Sequence, residues 1–124
     1  MDDLYDGWGG LPRVDDQLDT LLRPLACGSP GRYRRYDWHA GRYAETVQVA
    51  PGPLLVLEGV GAWSPRLAAL VTLLVWVDAP AEDRLARAIE RDGAGLAERL
   101  RQWAVDEQEH FARTGARDRA DLAL

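Results

Sequence analysis

The stretch Pro53-Leu54-Leu55-Val56-Leu57-Glu58-Gly59 limits what this chain can fold into more than any other. An apolar run that short, bounded by proline and glycine, reads as a strand buried on both faces of a parallel sheet. Residues 72–77 form a second such run, ended by Asp78-Ala79-Pro80, and residues 120–124 read as the start of a third. Two helical patterns lie between the last two. Residues 82–92 place Leu85 and Ile89 inward, carry Arg84, Arg87 and Arg91 three and four apart, and are broken by Gly93 and Gly95. Residues 96 to about 113 place Leu96, Leu100, Trp103 and Phe111 inward and His110 at the surface. Strands alternating with helices at these spacings give an α/β class, a parallel sheet with crossover helices. Ligands of such open sheets bind beyond the carboxyl ends of the strands, where Glu58 falls.

Upstream, Tyr5 to Pro12 is a glycine-rich loop with two aromatics. Asp15 or Asp16 then caps a helix whose apolar face is Leu18, Leu21, Leu22 and Leu25. Gly28, Pro30 and Gly31 stop it, and Cys27 near its end reads as a small buried residue. Residues 32–38 and 43–49, separated by His39-Ala40-Gly41, read as a hairpin with a basic, aromatic face. Ser64, as N-cap, and Pro65 open a short helix through Leu70.

Composition narrows the function. A chain of 124 residues is one domain at most, and 47% apolar with 28% charged residues suits a globular fold. A formal charge of -5 argues against nucleic acid as the main partner. A single cysteine excludes a disulfide framework and fits a reducing compartment. The start, Met1-Asp2-Asp3, is not a signal peptide, and no apolar stretch is long enough to span a membrane. The expected location is cytoplasmic.

Four segments occur in a telling order: Asp2-Asp3-Leu4-Tyr5, Arg35-Tyr36-Asp37-Trp38, Leu55-Val56-Leu57-Glu58-Gly59, and Arg84-Leu85-Ala86-Arg87-Ala88-Ile89-Glu90-Arg91-Asp92. Together they resemble the uridine kinase and phosphoribulokinase-like branch of the P-loop kinases, over nearly the whole chain. The resemblance implies that Asp2 approaches the hydroxyl to be phosphorylated and the metal, and that Tyr5 contacts the substrate. Deprotonating an alcohol for attack on phosphorus needs a carboxylate within ~3 Å. It implies a nucleoside pocket lined by Tyr36, Asp37 and Trp38, Trp38 by stacking, with Arg42 as a further contact. The family carries a histidine after this motif; here Gly41 stands near that place, and His39 lies two residues earlier. Glu58 matches the acidic residue that helps hold Mg²⁺, directly or through water. Arg84, Arg87 and Arg91 match a basic lid helix that neutralises the transferring phosphoryl. The same arginines also make a solvated stripe, partly paired with Glu82, Asp83 and Glu90. The implied cofactors are ATP and Mg²⁺, and the implied partner is a small, nucleoside-like molecule.

That family also carries G-x-x-x-x-G-K-[ST], whose amides cradle phosphates and whose lysine reaches them. This sequence has no lysine, and Gly7-Trp8-Gly9-Gly10 follows the acidic motif instead of preceding it. The expected architecture is one partial kinase-like domain over residues 1–124, lacking the first strand, P-loop and first helix. Within it the hairpin covers about 32–49 and the lid region about 82–113. The expected activity is ATP-dependent transfer to a nucleoside, silent in a chain without the P-loop. A non-catalytic remnant that binds a nucleoside or a protein is a second reading, and a kinase for another small acceptor a third. In this family the first strand is central, so its loss bares the edges of 54–58 and 72–77. Unpaired buried backbone groups cost about 1–3 kcal/mol each, so marginal stability or a homodimer is expected.

Overall fold

The computed structural model describes residues 1–124, which divide into two compact units, Met1–Thr72 and Leu73–Leu124. In the first unit, α1 (Val14–Ala26) lies against a hairpin of β1 (Gly31–Asp37) and β2 (Arg42–Val49). Leu18, Leu21 and Leu22 of α1 are buried, as their spacing predicts. Leu25 is half-buried and Cys27 is exposed, because the helix ends at Ala26 and the chain turns outward there. The core of this unit is Leu4, Tyr5, Leu11, Val14, Leu18, Leu21, Tyr36, Trp63 and Leu67.

The helix also closes the outer edge of the hairpin. Gln17 donates from Nε2 to the Arg34 carbonyl (2.9 Å) and accepts the Arg34 amide (3.1 Å), copying a strand partner. Thr20 Oγ1 donates to the Arg32 carbonyl at 2.9 Å. An open strand edge is a template for unwanted pairing, and these side chains occupy it. Gly31 sits where a Cβ would run into the Leu21 carbonyl, so β1 can begin under α1 only with glycine there. The antiparallel register runs from Gly31 opposite Val49 to Asp37 opposite Arg42, with an irregularity between Arg34 and Tyr36.

The strand and the helix caps expected in this unit turn out differently. Residues 54–58 pair with no strand, and Leu54, Leu55 and Val56 are 78%, 45% and 73% exposed. Their composition suits a strand buried on both faces, but no neighbouring strand or covering helix supplies those faces. Pro65–Leu70 does form a short 3-10 helix with Ser64 at its N-cap and Pro65 in the first turn, yet the Ser64 side chain makes no capping bond. Its hydroxyl donates instead to Asp15 Oδ2 at 2.8 Å, and Arg66 binds Asp16 and Asp19 on the same helix. Asp15 and Asp16 therefore hold the 64–66 turn against α1, while the cap position itself is Arg13.

In the second unit, β3 (Val75–Trp76) pairs in parallel with β4 (Leu122–Ala123). The crossover between them contains α2 (Ala81–Asp92) and α3 (Ala97–Thr114). Both helices lie within a residue or two of their predicted bounds. Gly93 (φ +98°) separates them, and Gly115 in the left-handed region ends α3. Leu100 is buried, whereas Leu85, Ile89, Leu96, Trp103 and Phe111 are half-buried. His110, expected at the surface, is 3% exposed; it faces inward beside Phe111, which stacks edge-on against Trp76 at 4.6 Å. The expected strand over 72–77 contracts to two residues, and Leu73, Val77, Leu122 and Leu124 stay exposed. The α/β class holds, but the strands form two separate two-stranded sheets, only one of them parallel.

Candidate functional site

The first unit brings the amino-terminal acidic motif to the end of the apolar run. Asp2 and Asp3 lie in a 3-10 turn, Asp2–Leu4, which exposes both carboxylates. Together with Leu4, Tyr33, Leu55 and Glu58 they line an open cleft of about 450 Å³. Glu58 is exposed on its rim, and its carbonyl accepts the Met1 amine at 3.2 Å. Tyr33 stands on the floor with its phenol pKa raised, first by burial and then by the Asp3 carboxylate.

An aromatic wall adjoins the acidic turn. Trp38 is 39% exposed and donates from Nε1 to the Asp2 carbonyl at 3.1 Å. Its ring meets Trp8 (5.5 Å) and Tyr36 (5.2 Å) edge-on, and Tyr36 in turn meets Tyr43 at 5.6 Å. Tyr36 is buried, with its hydroxyl against Gly7, where a Cβ would come within 2.9 Å. Asp37 is engaged in the hairpin turn. Its Oδ1 accepts the His39 and Ala40 amides, both at 2.9 Å, and these bonds, Ala40 first, hold its pKa below the ordinary value. Arg42 is exposed opposite Asp37 at the start of β2. Tyr5 is 3% exposed, and its hydroxyl donates to the Val60 carbonyl at 2.6 Å.

The three lid candidates belong to the second unit, all on α2. Arg84 forms an ion pair with Glu107 of α3 at 3.0 Å, and Arg91 grips Asp92 through two contacts, 2.6 and 2.7 Å. The Arg84 partner is thus on the neighbouring helix, not among Glu82, Asp83 and Glu90. Arg87 is exposed and makes no ion pair, so of the three it is the guanidinium left for a ligand.

Asp2, Tyr36, Trp38 and Glu58, far apart in sequence, thus meet in one unit. Trp8 and Tyr33 join the site without a sequence signal of their own. Trp8 sits in a loop whose glycines hide any periodicity, and Tyr33 is one of several aromatics in the hairpin pattern.

Residues 14–104 match the model of the phosphoribulokinase/uridine kinase family. The chain belongs to that family. It is 33% identical over 114 residues to a uridine kinase of Mycoplasma pneumoniae, an alignment covering 86% of this chain and 52% of that protein. A Mycoplasma genitalium uridine kinase is 30% identical over 91 residues, covering 69% and 43%. The uridine kinase-like protein 5 of Arabidopsis thaliana is 32% identical over 77 residues, covering 60% of this chain and 17% of that one. The chain thus spans about half the length of the Mycoplasma relatives. The family match includes Tyr36, Asp37, Trp38, Arg42, Glu58 and the α2 arginines, and starts downstream of Asp2 and Tyr5.

The resemblance implies two groups, Mg²⁺ and ATP, and these residues suit them unequally. Mg²⁺ prefers hard oxygens, often one or two carboxylates completed by water and phosphate. Asp2, Asp3 and Glu58 offer the right atoms around one cleft, although no cluster here amounts to a ready-made metal cage. The phosphates of ATP find no such match. The one glycine-rich turn closes on itself, the Gly10 amide donating to the Gly7 carbonyl at 3.0 Å, with Gly10 packed onto the Asp6 backbone. There is no lysine to reach a phosphate.

Proposed function

We propose that this chain is the acceptor-binding part of a nucleoside kinase. In this reading Asp2 is the base that takes the proton of the acceptor hydroxyl onto a carboxylate oxygen. Glu58 helps hold Mg²⁺, directly or through water. Tyr36 and Trp38 form the wall for the base, Arg42 is a further contact at the hairpin end, and Asp37 shapes the turn beside it. Arg87 leads the basic helix, with Arg84 and Arg91 available once their ion pairs open. ATP is the family's phosphoryl donor, and these residues supply no seat for it, so the chain by itself does not turn over ATP.

One observation carries the reading: two segments bearing carboxylates, 55 residues and more apart, line one cleft beside exposed aromatic surface. The names of the Mycoplasma relatives favour uridine among nucleosides. Calorimetric titration of uridine into the chain tests it. Binding is expected, and Trp38→Ala should weaken it about tenfold or more, since stacking a base on an aromatic contributes about 1–3 kcal/mol. Asp2→Asn should bind uridine nearly as well as the parent. Absence of uridine binding, or phosphotransfer from ATP by this chain alone, overturns the reading.

A further inference from the structure

Trp38 does more at this site than present a flat face. Its indole carries one donor, the Nε1–H, and that donor is committed to the Asp2 carbonyl at 3.1 Å, across 36 residues of chain. The bond enters the Asp2–Leu4 turn through its main chain, in the peptide that follows the Asp2 side chain. The turn is closed by the Leu4 amide, which donates to the Met1 carbonyl at 2.8 Å, and buried Leu4 anchors its far end. The ring is held as firmly as the turn. Trp8 meets it edge-on at 71° and Tyr36 at 77°. Gly7, left-handed at φ +69°, lets the loop bearing Trp8 close over the Tyr36 hydroxyl. Trp38 is nevertheless 39% exposed, so a ligand reaches a ring whose plane, and with it the direction of the N–H, is already set.

We propose that Trp38 is a positioning residue as well as a wall for the base: its indole N–H sets the Asp2 turn at a fixed distance from a stacked ring, so that Asp2 meets the hydroxyl borne by the same ligand. The proposal rests on the reading of Asp2 and Trp38 given above. A misplacement of ~1 Å at a reacting group can cost about a hundredfold in rate, so one donor at this point has leverage. Phenylalanine stacks a base but donates no hydrogen bond, so the N–H alone separates positioning from stacking.

The test titrates uridine into the isotope-labelled full chain and follows nuclear Overhauser contacts with the bound ligand. In the parent, the uracil protons should contact the Trp38 ring and the ribose protons the Asp2 methylene. In Trp38→Phe, uridine should bind within about threefold of the parent and keep the contact between uracil and the ring at position 38, because stacking survives. The ribose contact with Asp2 should disappear, and exchange of the Leu4 amide should quicken roughly threefold, with the thermal midpoint nearly unchanged. Persistence of both contacts in Trp38→Phe overturns the proposal, with or without faster exchange, and marks the indole bond as purely structural. Loss of uridine binding in Trp38→Phe overturns it as well, since the N–H then serves binding. Absence of either contact in the parent overturns the acceptor-site reading beneath it, a failure visible before any variant is made.

Discussion

The hairpin β1–β2 and the apolar run 54–57 stand close in the chain and behave in opposite ways. The hairpin is crowded with charge, Arg32, Arg34, Arg35 and Glu45 among its residues, and yet it forms a ladder from Gly31–Val49 to Asp37–Arg42. The run has the stronger strand composition and forms no ladder. What differs is the partner. The hairpin closes through a short turn that Asp37 caps, so its loop-closure cost is small. Its outer edge is satisfied by Gln17 and Thr20. A parallel strand must find its neighbour across a long crossover, and residues 54–57 find none. Strand propensity reports how a segment fits a sheet that exists, and does not create one.

Substitutions can break this contrast from either side. The largest effect belongs to the core beneath the hairpin: Leu18 and Leu67 are 0% exposed, so Leu18→Ala or Leu67→Ala should cost about 2–5 kcal/mol, read as a shift of the urea midpoint. Gly31→Ala comes next, at about 1–3 kcal/mol, because the new methyl collides with the Leu21 carbonyl and must lift β1 from α1. Circular dichroism and the same urea titration would register it. Asp37→Ala frees two turn amides and should cost about 1 kcal/mol, with faster exchange at His39 and Ala40 as its local mark. In the apolar run, Val56→Thr should move the midpoint by no more than about 0.5 kcal/mol. A loss comparable to Leu18→Ala there would show that the run is buried in solution and collapse the comparison.

The smallest effect is a pH dependence. Arg35 binds Glu45 through two contacts, 2.7 and 3.0 Å, and this pairing lowers the Glu45 pKa from 4.5 to about 2. A depressed pKa means the stabilisation is complete above the unfolded value and is lost as pH falls toward the folded one. The hairpin should weaken slightly between pH 4.5 and about 2. Glu45→Gln should flatten that part of the pH profile while leaving neutral pH nearly unchanged, because both partners are exposed to solvent.

The same division between local and distant partners explains what could be read in advance. Helices α1, α2 and α3 follow their apolar spacing and end within two residues of a glycine with positive φ (Gly28, Gly93 and Gly115), signals contained within each segment. The hairpin is equally local. His110 is buried and Cys27 exposed, against their expected places, because burial depends on what packs across from a helix end, which spacing does not reveal. In the candidate site, Asp2, Tyr36, Trp38 and Glu58 were nameable from motif order. The partners of Tyr5, Asp37 and Arg84 were not, because Val60, the turn amides and Glu107 carry no signature of their own.

The sequence alone determined the family, the helices, the hairpin, the want of a lysine and the identity of the acidic and aromatic residues, all of which rest on local pattern or composition. Only the tertiary structure decided which side chains are already engaged: the phenol of Tyr5 on Val60, the carboxylate of Asp37 on its own turn, and Arg84 on Glu107. It also decided that Leu54, Leu55 and Val56 stay exposed. Hydrogen bonds and strand pairing are relations between segments, and a segment's composition can favour such a relation but cannot supply its other half.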